Sequence, residues 1–455
     1  MSLVSALPST ITVPNKQKRT HWGNSINGLR SPSPEPRAAK RVRIAAAGLR
    51  TPESEVDEEI KSEFQKEVVG DDETVPETQK VLLLRAVKTK YEIVEGYSIP
   101  EIESSNEDEL VVKVLFVGLN PIDWKSPDFG FGIPVLPFLS GRDIVGTVIK
   151  APANPSSRVK KGDVILTAST DYRDLRKAAY QSYAVAPSYN VCRVPVSTPR
   201  DSIAGLGVAF IAAILGLGVC LGIDFSKVEK GPAGPNIRKM LQGLNEESIP
   251  KDVREESLRS ITDAERPKSG DWILIWGGST STAKLAAQLS KLAGLRVIKA
   301  VDVAKHGEQL STSSADLLVD SHDPDRAIQI IKRVTKNRLR IAIDTIGNTT
   351  ADLCQRCLEQ GIEGEGLRAH LVALSGLPKV KGNGVVHHNV PIKVHHAVKE
   401  VGEGIMVWLE KLLGDGLIRA PEAEIAPGGL EGVNDALDRM RRGEVSGKRL
   451  IVELS

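Results

Sequence analysis

"ILIWGGSTSTAKLAAQLSKLAG", residues 273–294, joins a continuous apolar run to an amphipathic helical pattern through two glycines and four hydroxyl residues. The apolar run suits a strand buried on both faces of a parallel sheet. Gly277 and Gly278 supply a tight turn. Ser279, Thr280, Ser281 and Thr282 place hydroxyls and amides at a helix start, where unpaired N–H groups and the helix dipole favour an anion such as a pyrophosphate. The third position of a G-x-G-x-x-G pattern holds Ala283, the next smallest residue, so the strict pattern is not met. An ordinary β–α turn is the competing reading.

Residues further along bear on that choice. Asp302 follows Gly277 by 25 positions, at the end of the next apolar run. A carboxylate there accepts hydrogen bonds from an adenosine ribose, or else caps the following helix. Lys305 suits a 2′-phosphate, so Asp302 points to NAD and Lys305 to NADP. The runs "IDTIG" (Asp344, Thr345) and "ALSG" (Ser375, Gly376) end at the same carboxyl edge and would line one crevice.

Strand-like and helix-like segments alternate from Asp271 to Gly376, the pattern of a doubly wound parallel sheet covered on both faces. Upstream, from Lys80, short β-branched runs broken by Gly, Pro and Asn predict an antiparallel, barrel-like domain. Between the two lies an apolar segment, 202–223, and a polar insertion, 224–270, too long for a plain connection and expected to carry a short helix, as a lid or flap. The tail predicts two amphipathic helices and a final strand. The expected division is an extension at 1–78, a first part of the barrel domain at 79–204, the sheet domain at 205–377 and a return to the barrel at 378–455.

With 455 residues, 41% of them hydrophobic and 26% charged, the chain can build roughly two to three cores. Its formal net charge of +2 gives no pull toward nucleic acid. Four scattered cysteines exclude a disulfide framework and point to a reducing, cytoplasmic setting. Cys354 and Cys357 form a CxxC, but on a helical pattern with no second ligand pair nearby, so two helix-face thiols are favoured over zinc. Ser202–Ile223 is long enough to cross a bilayer but lacks aromatic anchors, and a helix buried between domains explains it better than a membrane span. Residues 1–78 are Pro/Ser-rich and basic, then strongly acidic, which predicts disorder. "KRVR" and the early scarcity of acid also permit a nuclear or mitochondrial address.

Taken together, "VGLNPIDWKSPD", "GRDIVGTV", "KKGDVIL", "AYQSYAVAP", "LGVAFIAAILGLGVCLG", the opening stretch and "VSGKRLIVEL" resemble the medium-chain dehydrogenase/reductase superfamily over residues 80–455. The nearest likeness is to its zinc-independent, quinone-reductase-like branch, with the fungal trans-acting enoyl reductases and related toxin-cluster dehydrogenases. That resemblance implies an α/β protein with a GroES-like β-barrel catalytic domain and a Rossmann domain. It also implies NADPH, with NADH as the alternative, and no zinc, since Asn120 and Arg142 fall where a thiolate and an imidazole would be needed. Asn120, Asp123, Trp124 and Lys125 would lie near the nicotinamide and substrate, with Lys125 stabilising charge; a solvated lysine is the bland alternative. The implied activity is hydride delivery to an activated C=C in an enoyl thioester, enone or quinone. The substrate is then a small or carrier-bound molecule and the partner a polyketide synthase, with no nucleic acid and no membrane. The competing class is a non-catalytic nucleotide-binding subunit. The pairs in "HHNVPIKVHH" (His387, His388, His395, His396) are the only histidine cluster; they fall where the family has an edge strand, and a metal role is the lesser reading.

Overall fold

A computed structural model describes residues 75–311, 314–359 and 366–454, all within one structural unit, Gln65–Ser455. Most of the extension expected to be disordered, with its candidate address signals, lies outside the described residues.

The first part of the chain forms β1 (Thr78–Leu84), β2 (Glu92–Ser98), β3 (Glu109–Gly118), β4 (Phe138–Leu139), β5 (Asp143–Lys150), β6 (Val164–Ala168), β7 (Tyr183–Pro187) and β8 (Val191–Arg193). Strand β3 is central, pairing antiparallel with β5 and β7 and, from the far end of the chain, with β16 (Arg449–Glu453), beside which β15 (Ala423–Ala426) runs parallel. Gly118 lies opposite both Asp143 and Ile451. A Cβ there would approach the Ala204 carbonyl oxygen to 2.1 Å, so only glycine admits the crossing segment. Helix α1 (Pro121–Phe129) follows directly, with a proline at its first position, where a missing N–H costs nothing.

The second domain carries β9 (Trp272–Trp276), β10 (Arg296–Val301), β11 (Leu317–Asp320), β12 (Ile341–Asp344), β13 (Ala369–Ala373) and β14 (Val385–His388). Every pairing is parallel, in the spatial order β11-β10-β9-β12-β13-β14. The chain winds one way from β9 and then the other, so the strand order reverses between β9 and β12. In such sheets the crevice for a ligand opens there, at the carboxyl ends. Strand β14 extends this sheet past residue 377, where the sequence reading closed the domain, because its edge hydrogen bonds are satisfied by β13.

The apolar segment is a broken path, not one helix: Arg200–Ile203, α2 (Gly207–Leu215) and a π-helical turn at Gly216–Cys220, nearly all of it buried. No helix among the described residues is long and apolar enough to cross a membrane. The insertion carries two helices, α3 (Ile237–Gln242) and α4 (Lys251–Arg259), instead of one. It is not a flap. Ile237, Leu241 and Ile249 fill the main core, and buried Arg238 donates to Ser260 Oγ (2.9 Å) and the Ile261 carbonyl (3.0 Å). Moving it would expose that apolar surface to water.

Candidate active site

The turn after β9 has the shape its glycines imply. Gly277 adopts φ +82°, and a Cβ would come within 2.4 Å of Thr345 Oγ1; a Cβ on Gly278 would meet Lys299 at 2.8 Å. Both glycine amides donate to the Ala300 carbonyl, at 3.1 and 3.0 Å, which ties the turn to β10. Helix α5 (Ser281–Leu292) is capped by Thr280, whose Oγ1 accepts from the Ala283 amide (3.2 Å) and donates to Thr345 Oγ1 (3.0 Å). Thr345 in turn donates to the Trp276 carbonyl (2.9 Å). The Ser281 and Thr282 amides, in the first turn, have no carbonyl partner within the helix and remain available to an anion. Glycine cradle, hydroxyls and helix N-terminus fit the pyrophosphate of a dinucleotide.

The other residues expected at this crevice fare differently. Asp302 Oδ1 accepts the Lys305 amide (2.9 Å), so Asp302 caps the helix Val303–Ser311, here α6; its Oδ2 lies 3.7 Å from His322 Nε2. Lys305 is exposed on the same turn. Asp344 is withdrawn from the crevice: fully buried, it accepts the Ile346 and Gly347 amides (3.1 and 2.9 Å) and so holds the next turn in place. Burial pushes its carboxyl up to about 6. Ser375 is exposed at the end of β13, and Gly376 packs against Asn348, where a Cβ would come within 2.6 Å of Oδ1.

In the barrel domain, Asn120 is only 3% exposed and every polar atom of it is engaged. Its amide N–H donates to Asp123 Oδ2 (2.7 Å), and its Nδ2 donates to Asp143 Oδ2 (3.1 Å) and the Gly118 carbonyl (3.2 Å). Its Oδ1 accepts from Arg449, which also pairs with Asp143 at 3.1 Å. Asp143 Oδ1 accepts the Val208 amide (2.7 Å), which fixes the start of α2. Burial pushes the Asp123 carboxyl up to about 6, although the charge of Arg142 opposes it. Arg142 is itself buried, its guanidinium 3.7 Å from the centre of the Tyr172 ring. Trp124 and Lys125 are half-buried, with the Lys125 ammonium 5.7 Å from the Trp124 ring centre.

The two clusters are linked by the short segment 446–449 that leads into β16. Ser446 Oγ meets His306 Nε2 of α6 (2.9 Å), the Gly447 carbonyl accepts from Lys284 of α5, and Arg449 reaches Asn120 and Asp143. Sequence reasoning did not single out Asp143, Arg449, Ser446 or Lys299 as site residues. Lys299 is buried beside Gly278, and burial pulls its ammonium down to about 8. A signal was present, since Asp143, Lys299 and Arg449 are each a charge set against a β-branched strand run ("GRDIVG", "VIKAV", "KRLIV").

Residues 106–196 match the alcohol dehydrogenase GroES-like domain. The trans-enoyl reductase caaB of Aspergillus niger is 26% identical over 374 residues, covering 78% of this chain and 92% of that protein. The dehydrogenase orsE of Emericella nidulans is 27% identical over 366 residues, covering 78% and 94%. The crystal structure of a putative NADPH:quinone reductase from Bacillus thuringiensis superposes with a TM-score of 0.62 at 16% identity, covering 83% of this chain and 99% of that one. In its GroES-like domain and its two-domain fold the chain is similar to the medium-chain dehydrogenase/reductase superfamily. The solved structures that superpose on it, quinone reductases among them, share its fold. Asn120 and Arg142 are the residues compared above with zinc ligands. An amide already spent on three partners and a guanidinium without a lone pair are poor donors for zinc.

The remaining expectations resolve locally. Cys354 and Cys357 are ordinary buried thiols on α7 (Asn348–Cys357), and burial pushes Cys357 up to about 12. His387 and His388 lie on the edge strand β14, but His395 and His396 form a separate helical turn, Val394–Ala397.

Proposed function

We propose that the chain is a zinc-independent, NADPH-dependent reductase that saturates an activated C=C, acting on an enoyl thioester carried by a polyketide synthase. The observation that carries this reading is the coupling of a dinucleotide cradle, through the segment at 446–449, to a buried polar cluster of Asn120, Arg142, Asp143 and Arg449 instead of metal ligands. The bound nicotinamide supplies a hydride to the β-carbon of the acceptor. The charge that then develops on the conjugated oxygen needs a fixed positive group, and Lys125, half-buried on the first turns of α1, is that group. Solvent or a neighbouring side chain supplies the α-proton. Asn120, with its side chain fully spent, is a positioning residue, and Trp124 forms a wall of the acceptor pocket. The relatives named for trans-enoyl reduction support the substrate class and a place in fungal secondary metabolism, and the four unpaired cysteines support a reducing, cytoplasmic setting.

Fluorescence titration with NADPH and NADH, then cofactor oxidation against enones, enoyl thioesters and quinones, tests the reading. Lys125→Ala should lower kcat roughly 10- to 100-fold while leaving NADPH affinity unchanged. Failure to bind either cofactor would remove the enzyme reading, and binding without oxidation by any acceptor would leave the non-catalytic nucleotide-binding subunit as the better one. On cofactor choice, Lys305→Ala should weaken NADPH more than NADH. Asp302→Ala should weaken NADH and also lower stability, since it removes the cap of α6.

A further inference from the structure

On the side of the sheet bordered by β14, helix α4 of the insertion meets a cysteine-bearing turn and a histidine-bearing strand. Cys220, on the π-helical turn, Glu256, on α4, and His388, on β14, bring their donor atoms within 4.8 Å of one another. A tetrahedral ion with bonds of about 2.0–2.3 Å holds its donors about 3.3–3.8 Å apart, so small side-chain shifts suffice. Cys220 and His388 are fully buried, while Glu256 keeps 23% of its side chain exposed and provides an entry path.

Proton counting around this cluster supplies a second, independent observation. His388 Nδ1 lies 2.7 Å from Glu256 Oε1, and His388 Nε2 lies 3.0 Å from His370 Nδ1. His370 Nε2 is buried, without a hydrogen-bond partner, 3.6 Å from a Glu265 carboxylate that Arg368 grips at 2.6 and 2.9 Å. A neutral imidazole has one N–H. If His388 donates to Glu256, its Nε2 must accept from His370, and His370 then turns a bare nitrogen toward a carboxylate. If His388 donates to His370 instead, its Nδ1 faces Glu256 acceptor to acceptor. A positive charge at His388 Nδ1 resolves both conflicts: Nε2–H then donates to His370 Nδ1, and His370 Nε2–H turns to Glu265. That relay, from ligand imidazole to a buried carboxylate, is the arrangement that orients metal-bound histidines.

We propose that Cys220, Glu256 and His388 form a binding site for a divalent ion of zinc type, with His370 and Glu265 orienting His388 from behind. The donor set of one thiolate, one imidazole and one carboxylate suits zinc or cobalt over calcium or magnesium. The site is separate from the reductase pocket. It pins α4 of the insertion to the edge strand β14, covering the open side of the sheet.

The test uses the full chain, reduced, freed of metal by chelation and titrated with Co(II), with zinc content after dialysis measured in parallel. Wild type should retain about one equivalent of zinc and show a thiolate-to-cobalt charge-transfer band in the near ultraviolet. Cys220→Ser should abolish the band. Glu256→Gln, at a partly exposed position that leaves the core intact, should weaken cobalt binding at least about tenfold. His322→Ala, at the exposed Asp302–Asp320–His322 group, should leave the band unchanged. Absence of the band in folded wild type, its persistence in Cys220→Ser, or undiminished affinity in Glu256→Gln would each overturn the site, the first meaning that a shared proton fills the role of the ion. None of these readouts depends on reductase activity, so the proposals fail separately.

Discussion

At 277–282 the polar groups are backbone amides and hydroxyls at the edge of a sheet, and several keep directions open for a ligand. Around Asn120, Asp143 and Arg449 they are buried charges and a buried amide, most of their atoms engaged by neighbouring side chains and backbone, with Arg449 Nε left without a partner. The first region is shaped to be completed by something that arrives. The second is largely occupied by its own partners, and on the proposed reading it holds α1, with Trp124 and Lys125, in place. A mutation should therefore act on binding in the turn and on folding in the barrel pocket.

The largest effect is expected from Arg449→Met, which strands the Asp143 carboxylate in the interior. Losing one member of a buried pair costs about 3–5 kcal/mol, measured here by urea unfolding; adding Asp143→Asn should recover part of it. A loss below about 1 kcal/mol would mean that water reaches the pocket and the contrast drawn above is false.

Next comes Gly277→Ala, at φ +82° with no room for a Cβ. It should weaken NADPH about 100-fold, near 2.7 kcal/mol in binding, with a smaller change in the thermal midpoint. If folding suffers more than binding, the turn is a structural element first.

The smallest effect concerns pH. Asp123, at about 6 in the folded chain, holds its proton to higher pH than in the unfolded chain, near the ordinary 3.9. The native state therefore binds more protons between these values, and stability falls as pH rises from about 4 to about 6, then levels. Asp123→Asn should remove a decline of roughly 2 kcal/mol, read from unfolding curves across that range. The decline that Asp344 contributes over the same window should remain.

What could be read from the sequence follows the same divide. The parallel sheet, the antiparallel barrel and the turn are local: apolar runs, glycines and hydroxyls next to one another specify them, and the missing third glycine misled less than it threatened to, because Ala283 packs in its place. Asp302 was open between ribose and cap, and the Lys305 amide claims one of its oxygens. The pocket was only half legible, since Asn120 could be placed but its partners stand 23 and 329 residues away. Nothing in a linear pattern shows which distant charge will neutralise which. The insertion was misread as a flap because its few apolar residues, Ile237, Leu241 and Ile249, look incidental until the cavity they fill is seen.

The segment 446–449 has a consequence for how the molecule comes into being. Arg449 is made 329 residues after the asparagine it grips, so for most of synthesis Asp143 and Asn120 have no cationic partner and β3 has an open edge. Domains generally fold as units while the chain emerges. Here the barrel must wait for the entire sheet domain to be made before its last strand can close it. Nascent chains halted before Ser446 should therefore expose an unpaired strand and recruit chaperones, whereas those halted after β16 should not.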